Sequence, residues 1–239
     1  MKISIVIPAY NEEKNIATTI EALLAQDYKD YEIIVVNNAS TDKTYEVASK
    51  FPVKVVTENR KGLLWARERG RIEAVGDIIA NTDADCLPDK TWLSNGSSYF
   101  IDEKIAAVSG PYDYYDADWF FRKSSLFFQS AIYPIANMFF QLPFIHRGAT
   151  IIGGNNFIRA SALEKAGGYD TSITFYGEDT DTAKRVSAHG KVKFSPSVVM
   201  KTSARRFKAE GKFNLMMKYW YHFFKHILFV KPAKRVVKK

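Results

Sequence analysis

Asp83 and Asp85 stand one residue apart at the end of an apolar run, Ile78-Ile79-Ala80-Asn81-Thr82. Read as a strand that Pro88 stops soon afterwards, the stretch puts residues i and i+2 on one side, so both carboxylates can converge on one cation. Hard divalent ions such as Mn2+ or Mg2+ take few protein carboxylates and complete their shell with water and phosphate oxygens. The competing reading is a solvated turn, where Asp is common. Further on, Gly154-Asn155-Asn156 bends an apolar stretch and Glu178-Asp179-Thr180-Asp181 opens a helical one. Glycines inside a strand mark a bulge or a close ligand approach, and paired Asn amides can hydrogen-bond sugar hydroxyls. Acids in a first helical turn are ordinary caps, but three in four residues leave room for a general base.

The elements that must position these groups follow an alternating pattern. Ile3 to Ile7 reads as a strand buried on both faces, broken by Pro8-Ala9-Tyr10-Asn11-Glu12. Ile16, Ile20, Leu23 and Leu24 then form one apolar helical stripe, with Asn11 as its expected cap. Ile33 to Val36 is a second strand, ending at Asn37-Asn38 and Asp42; Val53 to Val56 is a third, ending at Arg60-Lys61-Gly62. Strands alternating with helices imply βαβ units and a parallel sheet. Ligands bind such sheets at the carboxyl edge, which gathers Tyr10, Asn11, Asp42, Lys61, Arg67, Asp83 and Asp85 on one rim. The first turn lacks glycines, so neither a dinucleotide fingerprint nor a P-loop is present, and bound phosphates need a metal and side chains.

Composition narrows the classes. The 239 residues are 46% hydrophobic and 14% aromatic, enough for one large α/β domain or two small ones. The lone cysteine, Cys86, excludes an intrachain disulfide and a multi-cysteine metal site, and suits a reducing compartment. The opening apolar run is too short for a secretory signal. The longest charge-free run, Ser124 to Ile145, is interrupted by Gln129, Pro134, Asn137, Gln141 and Pro143, so no spanning helix is expected. Residues 112–145 are densely aromatic and read as a helical excursion packed on the sheet, with a lipid-facing or subunit-facing surface as the alternative. Of the net charge of +8, residues 201–239 carry +11 and the remainder −3.

Taken in order, Pro8-Ala9-Tyr10-Asn11-Glu12, Asp42, Asp83-Ala84-Asp85, Gly154-Asn155-Asn156 and Glu178-Asp179 resemble the motifs of family 2 glycosyltransferases over about residues 1–200. The resemblance implies a GT-A fold, a Rossmann-like, mostly parallel α/β sheet flanked by helices, and an inverting, nucleotide-sugar-dependent transfer. By residue, it implies that Pro8, Ala9, Tyr10, Asn11, Glu12 and Asp42 hold base and ribose, with Asn38, Lys61, Gly62 and Arg67 nearby. Asp83 and Ala84 lie toward ribose and sugar, and Asp85, with Asp83, binds Mn2+ or Mg2+ on the diphosphate. Gly154, Asn155 and Asn156 face donor sugar and acceptor. Asp179 is the base, with Glu178 beside it. Arg205 and Arg206 are candidates for a diphosphate clamp or a basic surface loop. Processive members carry Gln-x-x-Arg-Trp; Ser203 and Phe207 depart from that pattern, which favours a single transfer over polymerisation.

The expected organisation is a catalytic domain over 1–205, split into a nucleotide-sugar half (1–110) and an acceptor half (111–205), followed by a basic amphipathic tail over 206–239. In the tail, Lys218, His222 and Lys225 make a polar stripe on an aromatic helix, followed by Lys231, Lys234, Arg235, Lys238 and Lys239. Such a helix suits an anionic membrane interface, which makes the expected protein cytoplasmic and peripheral on the inner face of the membrane. The expected partners are a hexosyl or N-acetylhexosaminyl nucleotide donor, UDP before GDP, and a lipid-linked or cell-envelope glycan acceptor. A homodimer is compatible, and nucleic acid is not expected. The rival readings are a polyprenyl-phosphate glycosyl synthase, whose acceptor needs no base; a nucleotidyltransferase, disfavoured by the missing glycine loop; and an inactive membrane- or nucleic-acid-binding module on the same scaffold.

Overall fold

A computed structural model of the chain describes residues 1–142, 148–173 and 176–228. The end of the aromatic excursion (143–145) and the trailing basic cluster (231–239) lie outside the described residues. The strands are β1 (Ile3–Ala9), β2 (Tyr31–Asn38), β3 (Lys54–Glu58), β4 (Ile78–Thr82), β5 (Leu87–Pro88), β6 (Ile105–Ser109), β7 (Tyr112–Tyr114), β8 (Asn155–Arg159), β9 (Lys191–Phe194) and β10 (Met200–Thr202). The helices are α1 (Ile16–Leu24), α2 (Thr44–Ala48), α3 (Leu63–Glu73), α4 (Trp92–Ser98), α5 (Trp119–Phe140), α6 (Ala160–Lys165), α7 (Glu178–Ser187), α8 (Arg205–Glu210) and α9 (Lys212–Leu228).

Seven strands form one sheet in the order β3-β2-β1-β4-β8-β6-β9, parallel except for β8, which runs against both neighbours. The expected mostly parallel α/β sheet is therefore present. A small second sheet, β5-β10-β7, folds over its carboxyl edge. β1 is central because Ile3, Ile5, Val6 and Ile7 are fully buried on both faces, one set facing α1 and α4 and the other α3 and α7. On the α3 side, Gly70 lets helix and strand close up: a Cβ there would lie 2.2 Å from a Val6 methyl.

Two local expectations are corrected. α1 begins at Ile16 behind Asn15, so Asn11 is not its cap. Asn11 instead takes a left-handed conformation (φ 54°), and its amide oxygen accepts the Thr41 N–H at 2.8 Å, tying the β1 loop to the β2 loop. The β4 strand also ends at Thr82, and Asp83 to Cys86 form a turn closed by the Cys86 N–H to the Asp83 carbonyl at 3.2 Å. Asp83 and Asp85 thus converge through a turn, not through strand alternation.

The aromatic excursion is turned inside out. The fully buried residues of α5 are Gln129 and Asn137, while Phe120, Phe127, Ile135 and Met138 are exposed. Gln129 accepts the Tyr112 N–H at 2.9 Å and donates to the Tyr112 carbonyl at 3.2 Å. Asn137 does the same with Thr150, and Gln141 with Val192 on the edge strand β9. Gln141 thereby gives the edge strand β9, and Gln129 the outer strand β7 of the small sheet, the donor and acceptor that a neighbouring strand would, while Asn137 does so for a buried loop residue. The polar residues that interrupt this stretch in sequence are its inward face. Because Thr150 is buried, Asn137→Leu strands both its backbone groups, and urea unfolding should show a loss of about 2–4 kcal/mol.

Candidate active site

The rim expected at the carboxyl edge exists as a cleft of about 600 Å³. Pro8, Ala9, Tyr10, Glu12, Asn38, Lys61 and Gly62 line one side, Asp83, Ala84 and Asp85 the floor, and Tyr112, Tyr114, Arg205, Arg206, Phe207 and Tyr219 the other. Asn11 and Asp42 lie behind it. Asp42 accepts the Thr44 N–H at 2.9 Å and the Glu13 N–H at 3.1 Å, so it caps α2 and braces the first loop. Asn38 performs a similar service: it donates to the Glu58 and Arg60 carbonyls and accepts the Gly62 N–H at 2.8 Å, holding Lys61 at the mouth. Lys61 there donates to the Tyr10 hydroxyl at 2.6 Å.

The floor concentrates negative charge. Asp83, Asp85 and Cys86 offer three ligand atoms within 4.8 Å of one another. Burial, reinforced by the Asp83 charge, pushes the Asp85 carboxyl up to about 6. Burial also pushes the Cys86 thiol far up, which keeps it protonated and unsuited to a hard cation. Positive charge comes from two directions. Arg205 bridges Glu12 and Asp85, with its Nε 3.1 Å from the Asp85 carboxylate. Arg67, buried beneath the floor, stands 3.6 Å from Asp83. Two carboxylates one residue apart, one of them largely buried, are an oxygen donor set that fits a hard divalent ion.

Glycine makes this closeness possible. A Cβ at Gly153 would lie 2.8 Å from the Arg67 guanidinium, and one at Gly154 would lie 2.2 Å from both the Asp83 carboxylate and the Tyr112 hydroxyl. The Tyr112 hydroxyl donates to Asp83 at 3.0 Å. Asn155 and Asn156 are not placed where sugar hydroxyls could meet them. Asn155 is fully buried, accepts the Trp92 indole N–H at 2.9 Å and donates to the Val198 and Pro111 carbonyls. Asn156 is saturated by Asn81, Ile152 and Gly153. They are staples of the floor, and their buried positions at the β8 start satisfy more polar groups than a sequence pattern discloses.

Glu178 and Asp179 open α7 behind Gly177, whose φ of 89° only glycine adopts freely. Asp181, the third acid, is committed to a buried pair with Arg185 at 2.8 Å. Burial and then the Asp179 charge push Glu178 up, burial pushes Asp179 up, and Arg67 pulls both down. Arg67 thus links the acids on the floor to those on α7. Arg206 is held by Glu210 at 3.0 Å and the Tyr176 hydroxyl at 3.1 Å, unlike Arg205, which reaches the carboxylates. Sequence reasoning missed Tyr112, Tyr114, Phe207 and Tyr219 as cleft residues; the aromatic density marked the region but not its direction.

Comparison with known proteins gives the family and the fold. The family described as "Glycosyl transferase family 2" matches residues 4–167. Probable glycosyltransferase YdaM of Bacillus subtilis is 33% identical over 221 residues, 83% of this chain and 50% of its own. UDP-Glc:alpha-D-GlcNAc-diphosphoundecaprenol beta-1,3-glucosyltransferase WfaP of Escherichia coli is 34% identical over 107 residues, 43% of either chain. The mannosyltransferase PcManGT from Pyrobaculum calidifontis, solved with GDP-Man and Mn2+, superposes with a TM-score of 0.75 at 24% identity, over 97% of this chain and 66% of its own, so the GT-A fold is shared. The chain spans about half or less of these two curated relatives.

Two outcomes test the floor. Without metal, the ionised Asp85 carboxylate works against folding once pH exceeds its unfolded value of about 4, and fully so above about 6. Asp85→Asn should therefore melt higher at about pH 7.5, by on the order of 1–3 kcal/mol, with the gap closing toward about pH 4 in a calorimetric pH series. Asn155→Ala should cost about 2–4 kcal/mol in urea unfolding by stranding the Trp92 N–H and two carbonyls. The same variant should leave the KM for donor within about twofold in the remaining folded protein.

Proposed function

The chain belongs to glycosyl transferase family 2, and from that premise we propose that it transfers a hexose or N-acetylhexosamine from a nucleoside diphosphate sugar, UDP before GDP, to a lipid-linked or cell-envelope glycan acceptor with inversion. The observation that carries the reading is the convergence of Asp83, Asp85, Glu12 and Arg205 on one cleft floor beside the Pro8–Glu12 turn. The name of WfaP, a glucosyltransferase acting on a diphosphoundecaprenol-linked sugar, supports the acceptor class.

In this reading Asp85 and Asp83 hold Mn2+ or Mg2+, which when bound neutralises the charge that grows on the departing diphosphate. Asn38 and the Asn11–Asp42 brace fix the loops that receive base and ribose. Arg205 carries a forked cation suited to diphosphate oxygens. Tyr112 and Arg67 keep Asp83 in place beneath the sugar. The acceptor oxygen attacks the anomeric carbon as the bond to the diphosphate oxygen breaks, and the acceptor proton passes to Asp179. A raised proton affinity makes Asp179 and its neighbour Glu178 better bases than an exposed carboxylate.

Thermal-shift titration with UDP and GDP should show stabilisation that requires Mn2+ and disappears in Asp85→Ala; no metal-dependent shift with either nucleotide overturns the reading. With a hydroxyl acceptor, Asp179→Asn should lower kcat by about 10²–10⁴ while donor affinity holds. Full activity in Asp179→Asn points instead to an acceptor phosphate, already ionised.

A further inference from the structure

We propose that the outward face of α5 docks on an anionic lipid surface. The inference rests on the lipid-linked reading of the acceptor and names the face that brings such an acceptor to the cleft. The observation is the inversion of α5. The amides of Gln129, Asn137 and Gln141 point inward to backbone groups at Tyr112, Thr150 and Val192. Phe121 and Tyr133 pack inward on Phe207 and Phe194, while Trp119, Phe120, Phe127, Ile135 and Met138 point out. Trp119, Phe120, Phe127 and Met138 are between 69% and 75% exposed, along a helix of 22 residues, about 33 Å long. A helix in water places these side chains the other way round.

Charge selects the occupant. From Trp119 to Leu163 the sequence contains no Asp or Glu, and Arg122 and Lys123 sit in the first turns of α5. Arg122 is paired with Asp113, while Lys123 is exposed and has no ion pair among the described residues. The acids just ahead of the helix, Asp116 and Asp118, are paired with Lys208 and Lys212, so the apolar stripe carries Lys123 as its free charge among the described residues, which matches anionic headgroups above acyl chains.

α9 continues the pattern. Two members of the expected polar stripe are engaged: Lys218 pairs with Glu210 at 2.8 Å and His222 stacks on Tyr176 at 4.8 Å. Phe213, Met217 and Tyr221, four residues apart, are exposed beside them. The two helices meet where Lys212 lies 4.8 Å from the Phe121 ring centroid. Phe121 in turn packs on Tyr114 and Phe207 of the cleft wall, with ring centroids 5.8 and 5.0 Å apart. Rings therefore run without a break from the α5 surface to the donor cleft. Among the described residues no helix is long and apolar enough to cross a membrane, so the contact is one of lying on the surface.

Co-sedimentation of the full chain with phosphatidylcholine vesicles containing phosphatidylglycerol tests the proposal. The expected result is binding that weakens without the anionic lipid and falls by at least about tenfold in Phe127→Asp/Ile135→Asp. Brominated acyl chains should quench tryptophan fluorescence, and the gentle Trp119→Phe change should remove part of that quenching. No vesicle binding, binding unchanged in the double variant, quenching unchanged in Trp119→Phe, or a solution dimer that the double variant splits overturns it. Mn2+-dependent nucleotide stabilisation measured without vesicles reports the transferase reading separately.

Discussion

Carboxylates crowded at one sheet edge need positive charge, and most of the site follows from how this chain supplies it. Glu12, Asp83 and Asp85 come from two neighbouring strand ends, β1 and β4, whose parallel pairing fixes their separation. Burial raises the cost of keeping Asp85 ionised. Arg67 answers from beneath and Arg205 from above, one from α3 and the other from the C-terminal α8. The two arginines differ in kind. Arg67 is sealed under Gly153 and part of its guanidinium has no partner, so it is a fixed charge. Arg205 is about half exposed and can exchange partners when a ligand brings its own charges.

The same constraint explains the small and amide residues around the floor. Gly153 and Gly154 permit backbone to press against Arg67, Asp83 and Tyr112, where any side chain would collide. Asn155 and Asn156 hold that backbone by donating to the carbonyls of Pro111, Val198, Ile152 and Gly153, and Asn81 fixes Asn156 by donating to its amide oxygen. Fixing donors and acceptors before a substrate arrives reduces the reorganisation a transfer reaction must pay for. The Arg67 charge also pulls down the proton affinity of Glu178 and Asp179, so the cleft floor and the α7 acids feel one buried cation.

The second half of the chain uses amides differently. Gln129, Asn137 and Gln141 of α5 replace a strand's hydrogen bonds and leave the helix's hydrophobic side uncovered. That choice gives up apolar burial on folding, at roughly 25 cal/mol per Å² of side-chain surface left in water. The aromatic wall of Tyr114, Phe121 and Phe207 connects this surface to the cleft.

The alternation of strands and helices, the carboxyl-edge location of the polar turns and the motif order were legible in the sequence, because period and spacing are local properties that burial on both faces enforces. The GT-A architecture and family membership follow from them. Direction was not legible. That Asn155 and Asn156 face the core, that Asp83 and Asp85 meet across a turn, and that α5 shows its aromatics outward depend on which distant backbone groups lack partners. Asn155 answers carbonyls at 111 and 198, and Gln141 answers Val192. Such needs arise only once the sheet has assembled, so tertiary structure alone decides whether a polar residue binds a ligand or completes the fold.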